Sequence, residues 1–188
     1  MQDLPNHLGG HGGKTHLDIG VLNFMIDKYQ VKSFIDIGCG PGGMVALAND
    51  KGLESIGIDG DFTIKRPSLN FKIIDYSKTR SFIQQKYDFA WSCEFVEHVE
   101  EQYIANYMPD FTLGKYVVMT FNQSKRGHHH VTLKSQDYWI ETFRKYDLIF
   151  DQKETETIRE ISTMNTAGKF VHKQFVKKNG LFFKNTQV

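Results

Sequence analysis

Cysteine is scarce in this chain: its 188 residues hold only Cys39 and Cys93. Both sit in apolar strand-and-turn contexts, which reads as buried thiols and excludes a disulfide framework or a cysteine-rich zinc site. An excess of either charge is also missing. Lys and Arg number 23 and Asp and Glu 22, for a net charge of +1, so no bulk attraction draws the chain to nucleic acid or to a membrane surface. No apolar run approaches the roughly 18 residues of a membrane span. The amino terminus is polar and glycine-rich, unlike a secretory signal, and the expected compartment is intracellular, the cytoplasm by default. Neither an internal repeat nor an interdomain linker is found. The remaining composition is ordinary, 40% apolar and 24% charged, in a length that suits one domain with a substantial core.

The most informative stretch runs from Lys32 to Asp61. Phe34, Ile35 and Ile37 are too densely apolar for a half-exposed strand and predict a central parallel strand covered on both faces. Gly38, Gly40, Gly42 and Gly43 follow in a sharp turn, where the backbone can approach a ligand closely. Met44 to Asp50 reads as a helix stopped by Gly52, and Ser55 to Ile58 as a second strand with Asp59 at its carboxyl end. In an open α/β sheet that edge binds ligands, so the stretch proposes a nucleotide-like site.

Gly38, Gly40 and Gly43 satisfy the GxGxxG spacing of dinucleotide-binding proteins, with Asp59 at the distance of a ribose-binding acid. The same residues also read as acid-x-Gly-x-Gly-x-Gly, with Asp36 two residues before Gly38 and Pro41 inside the turn. In that form the chain resembles the class I S-adenosylmethionine-dependent methyltransferases. The resemblance implies that Asp36 and the turn of Gly38, Cys39, Gly40 and Gly42 hold the methionine end of S-adenosyl-L-methionine, and that Asp59, next to Gly60, accepts hydrogen bonds from the ribose hydroxyls. Chemistry agrees, because an adenosyl sulfonium has no pyrophosphate for loop amides to bind, and an acid beside the turn orients an amino group but repels a phosphate.

Phe71 to Ile74 reads as a third strand, and the resemblance puts Asp75, beside Tyr76, on the adenine amino group. Lys78 to Lys86 is expected to be a crossover helix, Asp88 to Ser92 a fourth strand, and Glu94 onward a helix that continues through Tyr103 to Met108 and ends at Pro109. The run C-E-F-V-E-H-V resembles the fourth motif of small-molecule methyltransferases of this class and adds Cys93 and Glu94 to the implied cofactor contacts. Ser92-Cys93-Glu94-Phe95 is not the Asn/Asp-Pro-Pro-aromatic tetrad of amino-methylating DNA enzymes, and Cys93 lacks the preceding proline of cytosine C5 enzymes. The Lys-Asp-Lys-Glu tetrad of ribose-methylating RNA enzymes cannot be placed, and no arginine-rich patch compensates. A nucleic-acid substrate is therefore not expected.

Lys115 to Thr120 is the fifth strand, and the loop after it carries His128, His129 and His130. Consecutive side chains on an extended segment alternate in direction, and no Cys or carboxylate cluster completes a shell nearby, so no metal site is expected. The loop opens on the sheet edge of the cofactor turn, where a histidine can take a proton from an attacking hydroxyl or amine. His129 and His130 are the candidate bases, with Glu94 and His98 in reserve. The segment GHHHV followed by DYWI also resembles a subgroup of uncharacterised methyltransferase-like proteins of microbes and their viruses, which tend to place Asn where this chain has Thr132.

Ser135 is placed to cap a helix beginning at Asp137, with Trp139, Ile140 and Phe143 on its apolar face. Asp147 to Phe150 is a sixth strand, Glu154 to Thr163 a charged helix extending through Gly168 into Phe170 to Lys178, and Leu181 to Lys184 a closing strand. At the other end, residues 1–15 form an arm ahead of a single domain over 16–188, and Leu17, Val21, Phe24, Met25 and Tyr29 fall at helical spacing. GGHGGKT in that arm is no phosphate-binding loop, since Leu8 stands where the motif needs glycine and no strand precedes it. The arm is either a disordered leader or a lid that brings Lys14, Thr15 or His16 to the site.

The sum is an α/β, Rossmann-like three-layer sandwich with a seven-stranded, mostly parallel sheet. The resemblance implies that its last strand is antiparallel, inserted between the fifth and sixth. It also implies transfer of a methyl group from S-adenosyl-L-methionine to a small-molecule or sugar-like acceptor. A cofactor-binding protein without transfer activity and a nicotinamide-dependent oxidoreductase remain the alternatives; acceptor and oligomeric state are not legible.

Overall fold

In a computed structural model, residues 3–66, 68–167 and 172–188 are described. The elements run β1 (His16–Leu17), α1 (Ile19–Tyr29), β2 (Ser33–Ile37), α2 (Gly43–Asp50), β3 (Glu54–Asp59), β4 (Phe71–Ile73), β5 (Tyr87–Ser92), α3 (Ile104–Phe111), β6 (Gly114–Thr120), α4 (Gln136–Arg144), β7 (Leu148–Phe150), α5 (Gln152–Ile161), β8 (Asn165–Thr166), α6 (Phe175–Asn179) and β9 (Gly180–Asn185). Among the described residues seven strands form one sheet in the order β4-β3-β2-β5-β6-β9-β7. Every neighbouring pair is parallel except those of β9, which runs antiparallel to both β6 and β7. That is the architecture expected. β1 and β8 make a separate antiparallel ribbon, a pairing of two-residue strands that leaves no periodic signal.

Both faces of the sheet are covered. Phe34, Phe89, Trp91, Val118 and Phe182 pack on one side with Val21 and Met25 of α1, Met44 and Ala48 of α2, Ile158 of α5 and Val176 of α6. On the other side Ile35, Ile37, Ala90, Val117, Met119 and Phe183 meet Tyr107 and Phe111 of α3 and Trp139 and Phe143 of α4. The dense apolar reading of β2 follows from this double burial. Helix starts obey local chemistry. Asp18, Ser135 and Asp151 accept hydrogen bonds from the Val21, Tyr138 and Glu154 amides, satisfying donors that each first turn leaves open. Among the described residues no helix is long and apolar enough to cross a membrane.

Three expected helices differ. Residues 78–86 form no helix. The segment has too few apolar residues for a buried stripe, Phe82 is 77% exposed, and the Ser81 hydroxyl accepts from the Ile83 amide, a local bond that competes with helical pairing. The stretch after β5 is broken as well. Glu94 takes a left-handed φ of 53° and Val99 is extended, so 3-10 turns at Val96–His98 and Glu101–Tyr103 precede α3. Pro109 does not end α3, which runs on to Phe111 because Tyr107, Met108 and Phe111 are all buried. It removes one backbone bond without removing that packing. Finally, α5 stops at Ile161, where Ser162 turns extended and its hydroxyl donates to Asp18, while α6 starts only at Phe175. The expected continuation through Gly168 and Phe170 lies outside the described residues.

Candidate active site

A cavity of about 480 Å³ opens at the carboxyl ends of β2, β3, β4 and β5. That is a size typical of small-molecule sites. Its floor is the glycine turn. The Gly38 and Cys39 amides donate to the Ile58 carbonyl at 2.8 and 2.9 Å, which folds the turn back on β3. Gly38 has a φ of +77°, and a Cβ there would stand 2.5 Å from the Phe95 ring, so both backbone and space demand glycine. Asp59 fastens the turn from below, its two carboxylate oxygens accepting from the Gly40 and Asp61 amides, each at 2.7 Å. Buried Arg66 completes the brace, donating from Nε to the Gly40 carbonyl at 2.6 Å and lying 3.5 Å from Asp59.

Asp36, Gly38, Cys39, Gly40, Asp59, Gly60, Asp75, Tyr76, Cys93 and Glu94, ten of the eleven residues assigned to the cofactor from sequence, line this one cavity. Gly42 does not: it precedes α2 with a φ of +83° against Leu69 and serves the turn. Asp36 is 4% exposed and, among the described residues, its carboxyl has no hydrogen-bond partner. Burial, then the charge of Asp59, pushes its pKa well above the usual carboxylate range. Such a group gains from meeting a cation. Asp75 is the opposite case. Burial raises it, but the Ser77 hydroxyl at 2.6 Å and His7 at 3.1 Å outweigh that and hold it below the ordinary value. Tyr76 donates its hydroxyl to Asp110 at 2.5 Å. Burial pushes the Cys39 and Cys93 thiols up, so neither is poised as a nucleophile.

The histidine run divides by direction. His129 lines the cavity, in a left-handed conformation with a φ of 50°. Its Nε2 is buried without a partner among the described residues, and burial, then His7, lowers its pKa, so the ring is a neutral base near pH 7. His130, the second candidate, does not line the cavity. Its Nδ1 donates to the Ser124 carbonyl at 2.6 Å, and its ring stands edge-on to His98. His128 donates from Nε2 to the Leu8 carbonyl at 3.0 Å. Glu94 and His98, held in reserve, are walls of the cavity. Glu94 shares with His129 a strained left-handed backbone. Burial raises the Glu94 carboxyl although Asn122 and Thr120 donate to it, and burial, then His130, lowers His98 to about 4.

The amino-terminal arm crosses the cavity mouth, with His7, Leu8, Gly10, His11, Lys14 and Thr15 among its walls. His7 bonds Asp75, His11 lies 3.1 Å from Asp61, and the Thr15 hydroxyl accepts from the Gly43 amide at 3.1 Å. Of the two alternatives for the arm, the lid puts Lys14, Thr15 or His16 at the site, and all three line the cavity; His7 and His11 belong to neither expectation, since an isolated histidine in a glycine-rich leader carries no spacing signal. Trp91, Lys173 and Phe175 also line the cavity without having been foreseen.

No protein-family model matches this chain, and no curated protein is similar to it in sequence. Solved structures do resemble it. The magnesium protoporphyrin IX methyltransferase ChlM of Synechocystis PCC 6803, solved with S-adenosylmethionine bound, is 14% identical with a TM-score of 0.59 over 88% of this chain and 76% of that one. The methyltransferase domain of a bacterial Hen1, CtHen1-CN, is 18% identical with a TM-score of 0.57, covering 88% and 96%. A TehB-like S-adenosylmethionine-dependent methyltransferase of Corynebacterium glutamicum is 17% identical with a TM-score of 0.54, covering 82% and 80%. At these identities the likeness is one of architecture: the chain has the fold of the class I S-adenosylmethionine-dependent methyltransferases.

Proposed function

We propose that this protein transfers the methyl group of S-adenosylmethionine to a small-molecule acceptor, and that the cavity behind the glycine turn holds both. The observation that carries this reading is Asp36, a buried carboxyl without a hydrogen-bond partner among the described residues, lining a cavity whose walls also hold Asp59 and Asp75. These three acids suit an amino group, a pair of ribose hydroxyls and an adenine amino group, in the order the sequence resemblance implies. A pyrophosphate would meet like charges at the same points. Confinement favours a small acceptor, because the arm roofs the cavity and the net charge of +1 supplies no attraction for a polyanion.

When bound, the cofactor supplies an electrophilic methyl carbon on its sulfonium. The chain's own work is to orient. Asp59 accepts hydrogen bonds while holding the Gly40 and Asp61 amides, so it fixes ribose and turn as one unit. His129, a neutral imidazole whose residue lines the cavity, accepts the proton of an acceptor hydroxyl or amine as its oxygen or nitrogen attacks. Orientation within a closed space does the larger share.

Thermal melts with S-adenosylhomocysteine and with NADH test the reading. The first is expected to raise the melting temperature and the second to leave it unchanged; stabilisation by NADH alone would overturn it. Once an acceptor is found, His129→Ala is expected to slow transfer by about 10²-fold or more without changing cofactor affinity.

A further inference from the structure

Glu97 is 0% exposed, and neither of its carboxylate oxygens has a hydrogen-bond partner among the described residues. A bare carboxylate so placed is expensive. Two histidines meet it: His98, its neighbour in the 3-10 turn after β5, and His130, from the loop after β6. One ligating atom from each of the three lies within 4.8 Å of the other two. This trio differs from the acids assigned above to the cofactor.

The histidines are oriented in a way that matters chemically. His98 Nδ1 lies 2.7 Å from the His128 carbonyl and His130 Nδ1 lies 2.6 Å from the Ser124 carbonyl. A carbonyl only accepts, so both Nδ1 atoms carry the proton and both Nε2 atoms keep a free lone pair. The rings stand 79° apart with centroids 4.8 Å from each other. Gly127 lies against His130, where a Cβ would come within 2.2 Å of Nε2. The histidine loop is bound directly to the carboxylate's backbone, since the Val131 and Thr132 amides donate to the Glu97 carbonyl at 2.9 and 3.1 Å. Backbone carbonyls that hold histidine Nδ1 and free Nε2 are the usual outer support of a metal centre.

We propose that Glu97, His98 and His130 bind a divalent transition-metal cation. Two imidazoles and one carboxylate suit Mn²⁺, Fe²⁺, Co²⁺ or Zn²⁺ and leave coordination positions open to water or to an oxygen-bearing molecule. His98 is also a wall of the large cavity, so the cation stands at its edge. The competing occupant is a proton shared with Glu94, since burial, then the charge of Glu94, pushes the Glu97 carboxyl well above the usual carboxylate range. The proposal does not depend on the methyl-transfer reading.

The test uses the full chain stripped with EDTA and titrated with MnCl₂, free Mn²⁺ being followed by electron paramagnetic resonance, and with CoCl₂, followed by visible absorption. One saturable site is expected, weakened at least about 10-fold in Glu97→Gln and in His130→Ala. His130 sits on a partly exposed loop, so its variant carries the test should Glu97→Gln fail to fold. Absence of saturable binding of either ion, or equal binding by wild type and His130→Ala, would overturn the site and leave the shared proton as the explanation.

Discussion

Asp59 performs two tasks on one carboxylate: it ties the glycine turn to β3 and faces the cavity. Asp59→Ala is therefore expected to weaken S-adenosylhomocysteine binding roughly 30- to 150-fold in calorimetry, the loss of about 2 to 3 kcal/mol of charge-assisted bonding. An unchanged affinity would remove Asp59 from the site. Asp110 offers a test of burial. Its pKa is raised to about 6, mainly by burial, with the Tyr76 hydroxyl and Ser81 acting the other way. A raised carboxyl pKa means that the folded state holds the proton more tightly, so the stability it contributes is present below about pH 4 and is lost as pH rises through about 6. Asp110→Asn should accordingly gain melting temperature relative to wild type at pH 8, by up to ~3 kcal/mol of stability, and the gain should vanish near pH 4. A gain that does not vary with pH would contradict this. The strand-end acids were legible because a position after an apolar run has a meaning in sequence. Arg66 was not, because its partners are a backbone carbonyl 26 residues away and the turn it braces.

At the level of elements, the arm is fixed by contacts to the far ends of the strands it covers. His7 and His11 hold it to Asp75 and Asp61, and Thr15 closes on Gly43. Replacing both histidines with alanine is expected to speed tryptic cleavage at Lys14 and to raise amide exchange over residues 8–14, leaving the melting temperature nearly unchanged. Equal cleavage rates would show that the histidines do not secure the arm. Gly43→Ala probes the same junction, since a Cβ there falls 2.4 Å from the Thr15 side chain. The expected cost is about 1 to 3 kcal/mol, read as a lowered denaturation midpoint. Strands were legible from apolar density, and so was the Ser135 cap. The helix expected at 78–86 failed because charge and spacing suggest a crossover where no apolar stripe exists to bury. The carboxylate beside His130 escaped notice because it comes from a turn more than 30 residues upstream, on the far side of α3.

At the level of the molecule, the sheet is a single cross-linked body whose two faces carry separate cores. β9 belongs to both: Phe182 faces one core, while Leu181 and Phe183 face the other. Burying three such side chains is worth roughly 5 kcal/mol or more, comparable to the total stability of a small domain. A chain ending at residue 179 is therefore expected to lose its cooperative thermal transition, and a preserved transition would show that β6 and β7 hold without their partner. The mostly parallel character of the sheet was readable from the alternation of strands and helices, whereas the order β4-β3-β2-β5-β6 came only with the structure. The position of β9 was reachable only through resemblance to a family, since no local pattern says which two strands a short apolar segment will join.

The same strand sets a schedule for the nascent polypeptide. Translation delivers β9 after every neighbour it will meet, so while the ribosome is still working β6 offers an open backbone edge and β7 has nothing to pair with. The interval is longest when elongation slows over codons 151–179, and in that window an unrelated extended peptide can seize the vacant slot before β9 arrives.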